Sequence, residues 1–279
     1  MNATTPMHTT IGGLAADSVG RSDHRPPLVL LHGLTFDRRM WRPTLHELDR
    51  LDPGRRAIAV DLPGHGESPD AASYDLAATV QQVHEVILEA GLVEPVLVGH
   101  SASAAVVAVY AAQHPTRGIV EVDGTVLVAP FAELIKSIEP ELRGDGFDAA
   151  WARVSTMVFG LDDVSDNVRA FVEATSRPRP EVVISSWMDL LTRSTAELDA
   201  LIAGAAGAIR AAGIPVTAVF GRQPSSAETT WYSEHLPDAR TLVWPGSGHF
   251  PQLAYPLRFA ELLASTSAWS RGGVAALRP

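Results

Sequence analysis

Short, mostly apolar runs recur along the chain and alternate with longer segments of helical period. Residues 28–32 (Leu-Val-Leu-Leu-His) form the first strong run, introduced by Pro26-Pro27 and stopped by Gly33. Runs of strand length follow at 56–61, 95–99, 118–123, 215–221 and 240–244. Between the first four, residues 41–51, 76–90 and 102–113 repeat apolar positions at helical spacing, the second ending at Gly91 as a natural C-cap. Such runs suit strands covered on both faces. The alternation therefore predicts an α/β fold, a mostly parallel central sheet flanked by helices.

The pattern changes after Gly124. Residues 125–212 read as helix, broken at Pro140, Gly144, Gly146, Gly160 and Arg177-Pro-Arg-Pro180, before strand signals return. This predicts a core of residues 1–124 and 213–279 with a helical cap, 125–212, inserted into it. A closing helix is expected over 259–265, and the Arg271-Gly-Gly segment reads as a frayed tail.

Composition narrows the classes. The 279 residues are 46% hydrophobic and 19% charged, enough apolar material for a large core and too little charge for disorder. A net charge of −10 without any long basic run argues against nucleic acid and anionic membranes as partners. Cysteine is absent, which removes disulfides, thiol nucleophiles and cysteine-ligated metals. No signal-peptide core and no membrane-length apolar run is evident, so a soluble, cytoplasmic protein is expected. The histidines lack metal-ligand spacing with carboxylates, and no dinucleotide or phosphate-loop glycine pattern follows the first strand. No metal or cofactor is therefore expected, and a homodimer is left open.

The candidate chemistry starts at Val96-Leu-Val-Gly-His-Ser-Ala-Ser-Ala104. Here a strand run ends in Gly99-His100-Ser101 and a helical Ala/Val run begins at once, as in a nucleophile elbow that leaves one serine exposed at a sharp turn; Ser103 stands where the elbow's last glycine is usual. Serine needs a base to take its proton and a third group to orient that base. His249, in Pro245-Gly-Ser-Gly-His-Phe-Pro251, follows a strand near the C-terminus and is the best base. His8, His24, His46, His84, His114 and His235 fall in tails, helices or loops without convergent partners and read as surface or packing residues. His100 should turn away from the attack side, and His65 should fix local hydrogen bonds. At the end of the first strand, the N–H of Leu34 can face that of Ala102 as an oxyanion hole.

These marks, with Asp61-Leu-Pro-Gly-His-Gly-Glu-Ser68, make the chain resemble a capped α/β-hydrolase over most of residues 26–265. The resemblance implies a serine nucleophile at Ser101 and a base at His249. It also exposes a gap. The family places its acid after the strand corresponding to 215–221, in a pattern like Gly-x-x-Asp, whereas this chain reads Gly221-Arg-Gln-Pro224. Proline cannot accept a hydrogen bond from an imidazole through its side chain. Asp123, at the end of the strand after the nucleophile helix, is the preferred substitute, similar to certain haloalkane dehalogenases and zearalenone-type lactone hydrolases. The alternative acid is Glu228, if a flexible loop after Pro224 folds back, and Asp123 otherwise caps a turn.

A serine at the elbow argues against dehalogenase and epoxide hydrolase chemistry and for acyl transfer. The expected activity is hydrolysis of a carboxylic ester or lactone of a hydrophobic small molecule. Alternatives on the same fold are a slow-turnover sensor or receptor, a C–C bond hydrolase and a cofactor-free oxygenase. Phe147, Trp151, Met157, Phe159, Trp187 and Met188 offer material for an apolar lid, though most of them read better as the cap's own core. Trp151, Trp187 and Met188 are the preferred substrate contacts.

Overall fold

The computed structural model describes residues 6–265 and Trp269; the tail expected to fray lies outside them. Among the described residues, eight strands form one sheet in the order β1-β2-β4-β3-β5-β6-β7-β8. The hairpin β1 (Met7–Ile11) and β2 (Leu14–Val19) is antiparallel and edges the sheet beside β4 (Ala57–Val60). β3 (Leu28–Leu31), β4, β5 (Val96–His100), β6 (Gly118–Val122), β7 (Val216–Phe220) and β8 (Arg240–Val243) are parallel. β3 to β7 are buried at every position, which is why they read as predominantly apolar runs, with His100, Glu121 and Thr217 as buried polar exceptions.

Strand alternation divides the core into two layers. Leu28, Leu30, Val96 and Val98 join one cluster, with Trp41, Phe259 and much of the residue 125–212 region. Val29, Leu31, Leu97 and Ile119 join the other, on the opposite face of the sheet. The helices are α1 (Arg42–Leu51), α2 (Leu76–Glu89) and α3 (Ser103–Gln113), then, after β7, α11 (Ser226–His235), α12 (Pro251–Ala254) and α13 (Pro256–Ala264). Seven helices run between β6 and β7: α4 (Val128–Ser137), α5 (Glu139–Arg143), α6 (Phe147–Phe159), α7 (Asp166–Thr175), α8 (Pro180–Ser186), α9 (Met188–Thr192) and α10 (Thr195–Ala211). No helix among the described residues is long and apolar enough to cross a membrane.

Three features depart from expectation. The N-terminal hairpin stands where a tail was read, turning through Gly12 and Gly13 at φ 57° and 78°. Buried Arg38 ties it to the core, donating to Asp17 (Nε, 2.9 Å) and to Asp61 at the end of β4. Helix α11 replaces the flexible loop expected after Pro224. Finally, His8 contacts Arg38 and Glu67, and His84 stacks on His114 with centroids 4.0 Å apart, so these histidines have partners after all.

Candidate active site

Ser101 and Asp123 follow the C-terminal ends of β5 and β6, and His249 and Leu34 lie in the loops after β8 and β3, where parallel strands release their chain. Ser101 leaves β5 at φ 54°, a left-handed conformation that non-glycine residues adopt at a cost of about 1–3 kcal/mol and that concentrates at functional turns. Small neighbours make the turn feasible. A Cβ on Gly99 would lie 2.2 Å from the Ser103 carbonyl oxygen, and one on Gly33 would lie 3.1 Å from Ser101 Cβ and 2.7 Å from His100 Nδ1. Ser103, in the position where glycine is usual, donates its hydroxyl to the His32 carbonyl and so pins the start of α3 to the end of β3.

Asp123 ends β6, the strand beside β5, and it too lies in the left-handed region, at φ 48°. Aspartate tolerates that region better than most residues. Its two carboxylate oxygens have separate partners. Oδ2 lies 2.6 Å from His249 Nδ1, and Oδ1 accepts the Gly221 N–H at 2.9 Å. Burial alone would raise this carboxyl, but the hydrogen bond and charge of His249, with the Gly221 N–H, hold it below its ordinary value.

The His249 loop is placed by backbone contacts. The His249 N–H donates to the Phe159 carbonyl at 3.1 Å, and its carbonyl accepts from His100 Nε2 at 2.8 Å. Gly221 has no room for a side chain, since its Cβ would fall 1.7 Å from the Gly248 oxygen. The end of β7 thus gives up its side chain to let the His249 loop pass. The His100 ring packs against the rings of His249 and Phe250, with centroids 4.8 and 5.4 Å away, and burial pushes it down to about 3.

Glu228 is elsewhere. Its carboxylate accepts from the Ser225 N–H (2.8 Å) and hydroxyl (2.9 Å) in the capping box that starts α11, and it pairs with Arg222 through both oxygens (2.8 and 2.6 Å). With those four contacts it is a helix cap, and the imidazole partner is Asp123.

On the other side of Ser101, the loop after β3 is held by two neutral histidines. His32 Nε2 accepts the Leu62 N–H at 2.9 Å, so its Nδ1 carries the proton that it gives the Gly33 carbonyl at 2.8 Å. His65 Nε2 accepts the Thr35 N–H at 3.2 Å and its Nδ1 donates to the Pro63 carbonyl at 2.9 Å. Burial pushes the two down to about 4 and about 3, keeping both as acceptors at neutral pH. Among the described residues, neither the Leu34 nor the Ala102 N–H donates to another protein group. Ala102 is exposed and Leu34 half-buried.

Sequence reasoning missed the reach of the inserted helices. Phe159, at the end of α6, lies parallel to the His249 ring (12°, centroids 6.2 Å) and packs on Phe36 and Phe250. From Phe159 the contacts run to Trp151 (6.4 Å), Trp187 (5.8 Å further) and Phe131 (5.7 Å). Trp151 and Trp187 are buried and Met188 half-buried beside them. Met157, counted with the apolar lid residues, is instead 58% exposed on the outer side of α6. The missed signal was Phe159-Gly160: a glycine at φ 54° stops the helix and lets Gly248 approach to 3.4 Å of where its Cβ would be.

The sheet edge thus carries Ser101 at a sharp turn, His249 bonded to the half-buried Asp123 carboxylate, and the loop bearing the Leu34 N–H. The alpha/beta hydrolase family pattern matches residues 28–262, and the chain belongs to that family. It is 24% identical over 250 residues to a pimeloyl-[acyl-carrier protein] methyl ester esterase of Yersinia enterocolitica, spanning 85% of this chain and 91% of that enzyme. Among solved structures it is similar to the esterase RhEst1 from Rhodococcus sp. ECU1013 (TM-score 0.69, 24% identity, 96% and 100% of the two chains). It is also similar to Est816, described as an N-acyl homoserine lactone degrading enzyme (TM-score 0.66, 20% identity, 92% and 98%).

Proposed function

We propose that the protein is a serine hydrolase cleaving carboxylic esters or lactones of hydrophobic small molecules through an acyl-enzyme. The observation that carries this reading is the contact between the Asp123 carboxylate and His249 Nδ1, 2.6 Å long, on the strand next to the one that delivers Ser101. Asp123 fixes the tautomer with Nε2 free to accept a proton, and stabilises the imidazolium that forms. Ser101 Oγ attacks the carbonyl carbon as its proton passes to His249. The N–H groups of Leu34 and Ala102 hold the oxyanion. Collapse expels the alcohol oxygen, which takes the proton from His249. Water, deprotonated by His249, then attacks the acyl carbon and frees Ser101 with release of the acid.

Residues 125–212 act as a cap over this centre. Trp151, Trp187 and Met188 form the apolar wall that receives the substrate, continuous with Phe159 against His249. The ester named for the Yersinia relative and the lactone named for Est816 support the substrate class.

The test is steady-state turnover of 4-nitrophenyl acyl esters of graded chain length and of lactones of graded size. Wild type should turn over many times, and Ser101→Ala should lose about four orders of magnitude or more in kcat. Equal activity in Ser101→Ala would overturn the reading, and a single burst without turnover would assign a slow sensor instead. Trp187→Ala should shift preference among the bulky substrates while 4-nitrophenyl acetate is still cleaved.

A further inference from the structure

Thr35 is a β-branched residue at φ 72°, a backbone region such residues strongly avoid. Three contacts hold it there. Its N–H donates to His65 Nε2 at 3.2 Å. Its carbonyl accepts the Arg177 N–H at 2.8 Å. Its hydroxyl meets the Ser176 hydroxyl at 3.1 Å. Two of the three come from the stretch joining α7 to α8, which is 141 residues away along the chain at Ser176.

The third contact depends on the same stretch. His65 sits in the loop after β4, and the α7–α8 stretch grips that loop. Arg179 donates to the Gly64 carbonyl (3.3 Å) and pairs with Asp70 (2.6 Å), and Ser185 accepts the Tyr74 N–H (3.0 Å). A Cβ on Gly64 would meet Tyr74 at 2.6 Å and Val182 of α8 at 3.1 Å, so the two surfaces are in full contact. Two of the three contacts that hold Thr35 therefore come directly from the α7–α8 stretch, and the third comes from His65, whose loop the same stretch grips.

Leu34 precedes Thr35 in the turn closed by the Phe36 N–H on the Gly33 carbonyl (3.2 Å). The Leu34 N–H shares its peptide plane with the Gly33 carbonyl and points opposite to it. That carbonyl is held by the Phe36 N–H, which the left-handed turn at Thr35 delivers, so the aim of the Leu34 N–H depends on the conformation of Thr35. We propose that Thr35 is a positioning residue that couples the inserted helices to the oxyanion hole: the Leu34 N–H is aimed at the reacting carbonyl only while residues 176–177 are docked on Thr35. A substrate that seats the cap firmly would complete its own oxyanion hole, and cap opening would disarm it. This inference rests on the serine hydrolase reading, and its test is built to separate the two.

Thr35→Val keeps size and β-branching and removes only the hydroxyl. It should lower kcat for 4-nitrophenyl acetate about tenfold or more with KM within about twofold, because a transition-state contact is lost while ground-state binding is kept. Thr35→Ser, which restores the hydroxyl, should recover at least half of wild-type kcat. Ser176→Ala should behave like Thr35→Val, and the double variant should be no worse than the worse single, since both remove one bond. Hydrogen exchange gives a readout independent of turnover: the amides of residues 33–36 and 176–178 should exchange about tenfold faster in Thr35→Val and in Ser176→Ala. Wild-type kcat in Thr35→Val, a change confined to KM or to melting temperature, or unchanged exchange would each overturn the coupling. If wild type cleaves no ester, the hydrolase reading fails, and the exchange experiment alone decides whether the clamp exists.

Discussion

The ends of β6 and β7 lie side by side, and each is associated with a buried carboxylate, yet the two have opposite fates. At β6, Asp123 turns out of the strand in a left-handed conformation and presents one oxygen to His249. At β7 the strand ends in Gly221, whose only contribution to the site is an N–H that steadies the other oxygen of Asp123. The nearby acid, Glu228, is spent on the N-terminus of α11 and on Arg222. Burial of an acid near an imidazole is therefore no sufficient mark of a triad. What distinguishes Asp123 is that one of its oxygens is left for the histidine after its backbone donor is satisfied.

Breaking the β6 side should have the largest effect. In Asp123→Asn the side-chain oxygen can still accept the Gly221 N–H, but the amide then faces His249 Nδ1 with hydrogens and forces the other tautomer. A loss of about 10³- to 10⁴-fold in kcat is expected, read in the same ester assay. Near-wild-type kcat would end the distinction between the two strand ends. Next, Gly221→Ala places a methyl group on the Gly248 oxygen and should push the His249 loop aside. The expected result is a kcat loss of about 10- to 100-fold and roughly 1–3 kcal/mol of stability by denaturant titration.

Glu121 sharpens the comparison from within β6. It lies two residues before Asp123, receives the Tyr232 hydroxyl at 2.8 Å, and burial pushes it up to about 7. Such a group binds a proton in the folded state at a pH where the unfolded chain has released it. Its contribution to stability is full below its ordinary value of 4.5 and is lost as pH rises toward about 7. The limiting slope is about 1.4 kcal/mol per pH unit. Glu121→Gln should flatten that decline in denaturant titrations between pH 4.5 and 7. An unchanged slope would mean that Glu121 is solvated. The smallest effect belongs to Glu228→Gln: kcat within about twofold of wild type, and up to roughly 1 kcal/mol of stability lost with the Arg222 pair and the weakened cap. A large loss of kcat there would return Glu228 to the reaction.

The inner strands were legible in the sequence because each is buried on both faces, which leaves few polar positions (Glu121 and Thr217 among them) to blur the run. The serine and histidine were legible because glycines must flank them; the contacts that a Cβ would make at Gly99 and Gly33 are the physical reason. The gap at Pro224, seen against the pattern of the family the chain resembles, pointed to Asp123 at the end of the strand after the nucleophile helix, with Glu228 as the alternative. The N-terminal hairpin was missed although Gly12-Gly13 between two short runs is a turn signal, since its strands carry Thr, His and Asp at exposed or ion-paired positions. Helix α11 was missed although Ser225-Ser-Ala-Glu228 spells a capping box. Thr35 carries no local signal, and Phe159 only the helix-stopping Gly160 after it, which does not say what the ring meets. Their roles depend on partners 141 and 90 residues away, at Ser176 and His249, and no pattern along the chain encodes such a meeting.

β6 and β7 pair directly, Ile119 opposite Val216, although the whole of α4 to α10 separates them in the chain. The entropy of closing such a connection grows only with the logarithm of its length, about 0.6 kcal/mol for each doubling. In chain entropy, then, lengthening or exchanging the inserted helices costs the sheet little, provided the replacement also covers the apolar face that these helices share with it. Beyond that cover, what a graft must reproduce is small: a hydroxyl and an N–H delivered to Thr35, and a carbonyl with an aromatic ring delivered to His249. A chimera carrying a foreign insertion with those two staples should keep its chemistry while changing its substrate. One without them should fold and stay silent.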